Sequence, residues 1–389
     1  MSGIFDDCPR WGMHTPMDFC PQARSWSVDW KGLNEQFAWI RDLADCPQDP
    51  IYHAEGDVWT HTRMVAEALA ALPAWRSLPQ AERELLFAAA LLHDVAKPAC
   101  TRQDADGRIT SKGHSRRGAI LARQILWRVG VPFAVREQIA ALVRRHQVPY
   151  FLVDRSDSRR LAIEVSQTAH CDQLALLAEA DVRGRICRDQ QRLLDNIGLF
   201  VEFCREEGCL AAPRAFASDH ARLLYFCGGN RHPDAPAHDD FRAEVVVMSG
   251  LPGAGKDTWI REHLSDWPVV SLDAVREELD IDPSDEQGAV VNHARDQARD
   301  HLRHGRSFVW NATNLSRQLR AQCIQLFADY HARVRIVYVE VPEDRLLRQN
   351  RERAAPVPQK VLQRLLDRWE VPDLTEAHGV EWIVDQRSV

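Results

Sequence analysis

Two clusters of residues carry the types and spacings that do chemistry on phosphates. The first is the run GLPGAGKDT, which places Gly250, Gly253, Ala254, Gly255, Lys256, Asp257 and Thr258 between a β-branched segment and a helical one. A glycine-rich turn between a strand and a helix points backbone N–H groups at an anion, and the helix N-terminus adds positive potential. Lys256 is then placed to meet the β- and γ-phosphates of ATP or another NTP. The usual hydroxyl after the lysine is absent. Asp257 stands there, either as an oxygen ligand for Mg²⁺ or as a helix-start charge that favours the dipole. Thr258 is a poor substitute, because one helical step turns it about 100° away.

The second cluster is spread along the first half of the chain: His61, the adjacent pair His93 and Asp94, His114, His146 and Asp181. His93 and Asp94 follow an apolar Ala/Leu stretch, where burying two polar side chains is costly unless something satisfies them. A divalent metal does so, and imidazole with carboxylate suits Fe, Mn, Ni, Co or Zn, as one ion or a pair. Lys97 lies one helical turn beyond His93 and Asp94, and Arg185 one turn beyond Asp181. Each is either a stabiliser of phosphate charge or the ion-pair partner of the neighbouring aspartate.

The elements that position these residues fall into two textures. From about 33 to 227, apolar residues recur at spacings of three and four, which predicts helices with no good strand. Helix starts are expected at Asp57 and Ser115, with Pro98, Pro132 and Pro149 marking starts or stops. The stretch 228–242 is rich in Gly, Pro and Asp and reads as a linker. Beyond it, short β-branched runs (VVVMS, PVVSL, SFVW, RVRIVYVEV, VEWIV) alternate with helical segments, which predicts a parallel sheet flanked by helices. The expected organisation is an N-terminal arm at 1–27, an all-α domain at 28–227, the linker, and an α/β domain at 243–389.

Composition narrows the function classes. The net charge of −7 argues against charge-driven binding of bulk DNA. The first residues are polar and acidic, without the apolar core of a signal peptide, and no run is long enough to span a membrane. The ten cysteines show no CxxC pair. A cytoplasmic chain with reduced thiols and no membrane partner is the expectation. The 44 arginines stand against five lysines, and two of those five, Lys97 and Lys256, fall inside the two clusters.

In the second half, Asp273 closes the predicted strand of PVVSLDAVREEL. In open parallel sheets ligands bind at the carboxyl ends of strands. A carboxylate there can take the proton of an attacking hydroxyl, or it can cap the next helix. Arg276 faces the same way and could hold an anionic group of the acceptor. Asn311, Thr313 and Asn314 end a further strand. Arg345, Arg348, Arg351 and Arg353 lie on a helix that breaks at Pro356, and form either a lid over the transferred phosphoryl group or a solvated face.

Residues 243–389, through GLPGAGKD, LDAVR, NATN and RQNRERAAPVP, resemble the bacterial and phage polynucleotide 5′-kinases. The resemblance implies that Asp273 activates a 5′-OH, that Arg276 with Thr313 recognises a 3′-phosphate, and that lid arginines, among Arg348, Arg351 and Arg353, contact the ATP phosphates. Asn311 departs from the Asp that many members carry. Residues 50–190 resemble the helical HD phosphohydrolases. That resemblance implies His61, His93, Asp94 and Asp181 as core ligands, with His114 and His146 completing a two-metal site bridged by Asp94. The order of the halves resembles bacterial two-domain end-healing enzymes. It implies metal-dependent hydrolysis of RNA 2′,3′-cyclic, 2′- or 3′-phosphate ends, ATP- and Mg²⁺-dependent phosphorylation of 5′-OH ends on RNA or DNA, and a separate nucleic-acid ligase as functional partner. Two other readings stay open: a small-molecule kinase fused to a nucleotide phosphohydrolase, and a nucleotide-binding module that gates the HD half.

Overall fold

A computed structural model describes residues 14–229, 231–282, 285–353 and 355–385. The first half of the expected N-terminal arm, residues 1–13, lies outside them. Two compact units emerge: residues 1–158 with 169–206, and residues 159–168 with 207–389.

The first unit is helical. Its centre is Gln80–Leu92, where Ala88 to Leu92 are all fully buried. A helix apolar on every side belongs inside a bundle, and Val58–Ala71, Phe133–Arg145 and Cys171–Arg183 pack around it. Asp57 caps Val58–Ala71 as expected, its Oδ1 accepting from Thr60 N at 2.8 Å. Ser115 does not cap its helix: His114–Arg128 begins one residue earlier, after Gly113 in the left-handed region (φ 81°). Gly184 ends Cys171–Arg183, and a Cβ there would lie 2.5 Å from Val65 N. Only glycine lets that turn press onto Val58–Ala71, which brings Asp181 to His61.

The expectation of no strand in this half needs one correction. Arg102–Gln103 (β1) and Ile109–Thr110 (β2) form a short antiparallel hairpin. Its turn closes through Gly107 N on Asp104 O at 2.9 Å, with Gly107 at φ 84°. Two-residue strands are too short to show an alternating pattern.

The second unit is built on five parallel strands in the order β4-β5-β3-β6-β7: Ala243–Ser249 (β3), Val269–Ser271 (β4), Phe308–Asn311 (β5), Ala332–Glu340 (β6) and Gly379–Val384 (β7). All five β-branched runs become strands. Val245, Val247, Phe308, Trp310, Val334 and Ile336 share one core with Val290, Ala294 and Ala298 of helix Gly288–Arg303. Central β3 pairs with β5 on one side and β6 on the other. The chain therefore reverses its strand order at the carboxyl end of β3, where a parallel sheet opens a ligand crevice.

Residues 159–168 and 207–227 group with this unit and not with the helical half. Arg222 explains part of the attachment: its Nε donates to Leu374 O at 2.9 Å and its NH2 to His378 O at 2.7 Å. Arg160 in turn donates to Tyr225 O at 2.8 Å and to Phe226 O. Two segments read as helices of the first half are thereby tied to the second unit.

Candidate functional site

The metal candidates of the first unit converge. His61, His93, Asp94, His146 and Asp181 are at most 2% exposed, and His114 is 8% exposed. Asp94 sits in the middle with its two oxygens facing different partners. Oδ2 lies 3.1 Å from His93 Nε2 and 3.7 Å from His61 Nε2. Oδ1 lies 3.5 Å from His114 Nε2 and 4.0 Å from His146 Nε2. Asp181 Oδ1 completes the first group, 3.1 Å from His61 Nε2.

The far nitrogens explain why the imidazoles point inward. Nδ1 of His93 bonds Ala90 O at 2.7 Å, Nδ1 of His114 bonds Ser111 O at 2.7 Å, and Nδ1 of His146 bonds Val143 O at 2.8 Å. His61 Nδ1 faces Glu55 Oε1 at 2.9 Å and Gly184 O at 3.2 Å. A carbonyl accepts only, so each of these Nδ1 atoms carries a hydrogen, and each Nε2 is turned toward the carboxylates of Asp94 and Asp181. Such outer hydrogen bonds are how proteins set metal-ligating histidines.

Burial opposes the charge on Asp94 and Asp181, yet Lys97 and His93 hold the first, and Arg185 and His61 the second, well below the usual carboxylate range. Asp94 Oδ1 is buried without a hydrogen-bond donor among the described residues. An anionic oxygen left bare among imidazole nitrogens fits a cation. The two groups His61–His93–Asp94 and Asp94–His114–His146 each lie within ligating range and share Asp94. The residues thus fit one divalent ion, or two bridged by Asp94.

Lys97 Nζ lies 2.7 Å from Asp94 Oδ2, and Arg185 NH2 lies 2.6 Å from Asp181 Oδ1. Both make the ion pairs that one reading of them expects. Both also line a cavity of about 520 Å³ that includes His53, His114 and Tyr150 in its wall, so they face any ligand that approaches the cluster. Sequence reasoning missed the supports. Glu55 accepts from His61 and lies 2.8 Å from His53 Nδ1. Tyr150 OH donates to Asp181 Oδ2 at 2.5 Å. Gln48 Oε1 accepts from Lys97 Nζ at 2.6 Å. The only sequence signal for Glu55 is its place two residues before the capping Asp57.

The phosphate loop of the second unit is shaped by backbone. Gly250 (φ 149°) passes so close to β6 that a Cβ would meet Val339 O at 2.4 Å. Its N–H donates to Thr313 O at 3.0 Å, so Thr313 anchors the loop through its main chain. Gly253 and Gly255 have φ of 82° and 103°, and Ala254 is buried. Lys256 opens helix Lys256–His263 with its Nζ folded onto Gly250 O at 3.0 Å and Leu251 O at 3.1 Å. Burial pushes its ammonium down to about 8, with the charges of Asp257, Arg353 and Asp273 also acting on it.

Asp257 and Thr258 are exposed at the helix start. Asn311 Nδ2 donates to Asp257 Oδ1 at 2.7 Å, which holds the carboxylate over the end of β5. Asp273 is 75% exposed and ion-paired with Arg276. It is not the cap of helix Leu272–Leu279, because Ser271 holds that place. Arg276 Nε also donates to Gln287 Oε1 at 2.6 Å. Asn314, in the left-handed region at φ 45°, is buried, and its Nδ2 donates to Met248 O at 2.8 Å, so it braces the loop's strand. On helix Glu343–Glu352, Arg345 is paired with Asp385, Arg348 and Arg351 are exposed, and Arg353, at its C-cap, acts on Lys256.

Comparison with known proteins agrees with this division. Residues 58–177 match the family described as HD domain, and residues 245–372 the family described as AAA domain. An A-adding tRNA nucleotidyltransferase of Deinococcus radiodurans is 49% identical over 65 residues, 16% of this chain and 15% of that enzyme. A multifunctional CCA protein of Halorhodospira halophila is 39% identical over 104 residues, 27% of this chain and 22% of that protein. An L-seryl-tRNA(Sec) kinase of Methanococcus maripaludis is 20% identical over 147 residues, 34% of this chain and 58% of that enzyme. The chain thus spans less than a quarter of the two CCA-type relatives and just over half of the kinase. Among the described residues no helix is long and apolar enough to cross a membrane. The chain joins a helical unit that matches the HD domain to an α/β unit that matches the AAA domain and carries a phosphate loop, which implies a nucleotide with Mg²⁺ in the second.

Proposed function

We propose that the chain heals nucleic-acid ends by two separate reactions. The observation that carries this reading is Asp273, exposed and ion-paired with Arg276 just after the end of β4, in a chain that also holds a buried His/Asp cluster beside a cavity lined by Lys97, Arg108, Lys112 and Arg185. A gating module needs no acceptor base. In the second unit Lys256 holds the NTP phosphates, Asp257 takes the Mg²⁺ side, and Arg353 with Arg348 and Arg351 closes over the transferred group. Asp273 accepts the proton of a 5′-OH as its oxygen attacks the terminal phosphorus. Arg276, with Thr313, holds the 3′-phosphate of the terminal nucleotide.

In the first unit His61, His93, Asp94, His114, His146 and Asp181 hold one or two ions of Mn, Ni, Co, Fe or Zn. When bound, the metal supplies a hydroxide at neutral pH and stabilises charge on phosphorus. Lys97 and Arg185 meet the phosphate oxygens of a 2′,3′-cyclic, 2′- or 3′-phosphate end. Cleavage that leaves a cyclic phosphate and a 5′-OH yields the two ends these sites accept, and a separate ligase joins the products. The A-adding relative and the L-seryl-tRNA(Sec) kinase carry tRNA in their names, which favours RNA.

The test is direct. Full-length protein with ATP and Mg²⁺ should label a 5′-OH oligoribonucleotide, and Asp273→Ala should abolish the labelling. The same preparation, screened with the five metals, should open or remove a 2′,3′-cyclic phosphate, and His93→Ala should not. Labelling of free nucleosides or small alcohols in preference to oligonucleotides would show a small-molecule kinase instead. The name of the archaeal relative favours one further substrate, a hydroxyl carried on a charged tRNA, and the same competition includes it.

A further inference from the structure

The metal cluster itself is buried, and the 520 Å³ cavity beside it is the space a ligand must occupy. That volume lies within the roughly 300–1,000 Å³ of ordinary ligand pockets. A phosphate ester alone would need only Lys97, Arg185 and the metal ligands. The wall holds more. Arg108 and Lys112, at the β1–β2 hairpin and the turn after it, line the cavity and form no ion pair among the described residues. Arg192 also lines it, paired with Asp189 at 3.3 Å, and Asp49 is the remaining acid, its Oδ1 accepting from Ile51 N at 3.0 Å. Two aromatic rings, Tyr52 and Phe151, stand in the same wall at 45% and 49% exposed.

Phe151 meets the Tyr150 ring edge-on, yet about half of each of Tyr52 and Phe151 stays open, although an aromatic side chain gains by burial. Rings and cations together match one kind of ligand. A single-stranded nucleic acid offers phosphates to Lys and Arg and flat base faces to aromatic rings, and stacking accepts any base. The net charge of −7 makes this cationic wall a local feature. A duplex end keeps its bases paired and stacked on one another, so it offers these rings nothing.

We propose that the cavity seats the terminal nucleotides of a single-stranded RNA 3′ end. Bases stack on Tyr52 and Phe151, while Arg108 and Lys112 hold the phosphates on the 5′ side of the one presented to the metal cluster. The proposal rests on the end-healing reading of this unit and adds the residues that select an oligonucleotide over a small phosphate ester.

The experiment uses the full-length chain and two substrates: an oligoribonucleotide ending in a 2′,3′-cyclic phosphate, and glycerol cyclic phosphate, which has the reacting ring and no base. Tyr52→Ala and Phe151→Ala should each raise KM for the oligonucleotide about 5- to 100-fold, the range of one lost stack. Neither should change kcat/KM for the glycerol compound, and Tyr52→Phe should restore the oligonucleotide KM. Binding is read separately in EDTA, by the anisotropy of a single-stranded RNA with 5′-fluorescein and a 3′-phosphate, the label blocking the kinase end. There the same two variants should bind more weakly, and Arg108→Ala with Lys112→Ala should flatten the salt dependence. Unchanged binding and KM in both aromatic variants, equal loss on both substrates, or equal affinity for duplex and single strand overturns the proposal. Turnover of the glycerol compound without turnover of the oligonucleotide by the unaltered protein overturns the end-healing reading instead.

Discussion

The two candidate sites follow opposite plans. In the first unit the functional atoms are side chains, almost all buried, and each histidine is held by a hydrogen bond through its Nδ1 before any ligand arrives. In the second unit the phosphate cradle is backbone with Lys256 folded onto it, and Asp257, Asp273, Arg348 and Arg351 stand in solvent. Asp273 is 75% exposed, whereas Asp94 is 2% exposed. The reason lies in what each site must hold. A metal ion repays the desolvation of several charged groups only if they are already aligned. A phosphate loop needs N–H groups, which the chain carries anyway, and its charged partners can wait for the nucleotide to draw them in.

Removing the shared carboxylate tests the first plan most severely. Asp94→Asn keeps the shape but removes the charge common to both ligand groups and leaves Lys97 buried without its anion. Metal-dependent phosphoesterase activity should fall by about 10³-fold, at the upper end of electrostatic losses, and bound metal measured on the purified protein should fall with it. Kinase activity should not move. Asp273→Asn is the mirror test: 5′-OH labelling should drop about 10²- to 10³-fold, as for loss of a general base, while metal content and phosphoesterase stay as they were. If either variant lowers both activities, the two sites are not independent.

The difference in plan also predicts where support matters. Glu55 lies outside the two groups that share Asp94, but it accepts from His61 Nδ1. Glu55→Gln should weaken apparent metal affinity about 10- to 100-fold, as lost outer-shell partners do. A metal titration of activity, with kcat at saturating metal as the control, measures it. In the second unit Asp257→Ser restores the ordinary hydroxyl and removes the carboxylate that Asn311 holds. The Mg²⁺ midpoint of the kinase should shift by about tenfold or less, since a hydroxyl is also an oxygen ligand. If Asp257→Ala matches the unaltered protein at limiting Mg²⁺, Asp257 is only a helix-start charge.

The same contrast decides what could be seen in the sequence. Among the candidate metal ligands the pair His93–Asp94 stands out because it is polar beside an apolar Ala/Leu stretch, and the five strands stand out because each is a short β-branched run between helical segments. Glu55, Gln48 and Tyr150 do not stand out: the first two lie outside helices and Tyr150 in a four-residue one, where no period marks them. The hairpin that carries Arg108 is too short to alternate. Which unit owns a helix is also invisible. Residues 159–168 and 219–227 show ordinary helical spacing, and only the partners of Arg160 and Arg222 decide the matter. Ser115 looked like a cap because its type is right; Gly113, at φ 81°, turned the chain first.

The smallest effect comes from a histidine that inverts the pattern of the metal site. His378 is as buried as the metal-site imidazoles, but its Nδ1 accepts from Val334 N at 2.9 Å, and its Nε2 lies 3.0 Å from His220 Nδ1. The hydrogen is therefore on Nε2, and the lone pair is spent on a backbone N–H rather than offered to a ligand. Protonating the ring would break the bond to Val334, and burial with the nearby His220 pushes its value down to about 4. Unfolded, the ring titrates near its ordinary 6.5. Between these values the unfolded chain binds the extra proton, so the stability this ring contributes is present above about 6.5 and is lost as pH falls toward 4. His378→Asn, whose amide oxygen can still accept from Val334, should flatten that slope by about 1–2 kcal/mol across the window. Urea unfolding of the second unit at several pH values measures it, and an unchanged slope would mean that His378 is already charged in the fold. Fluorescence of Trp310 and Trp369, buried in this unit, reports the transition, and metal content of the first unit at pH 7 should be untouched throughout.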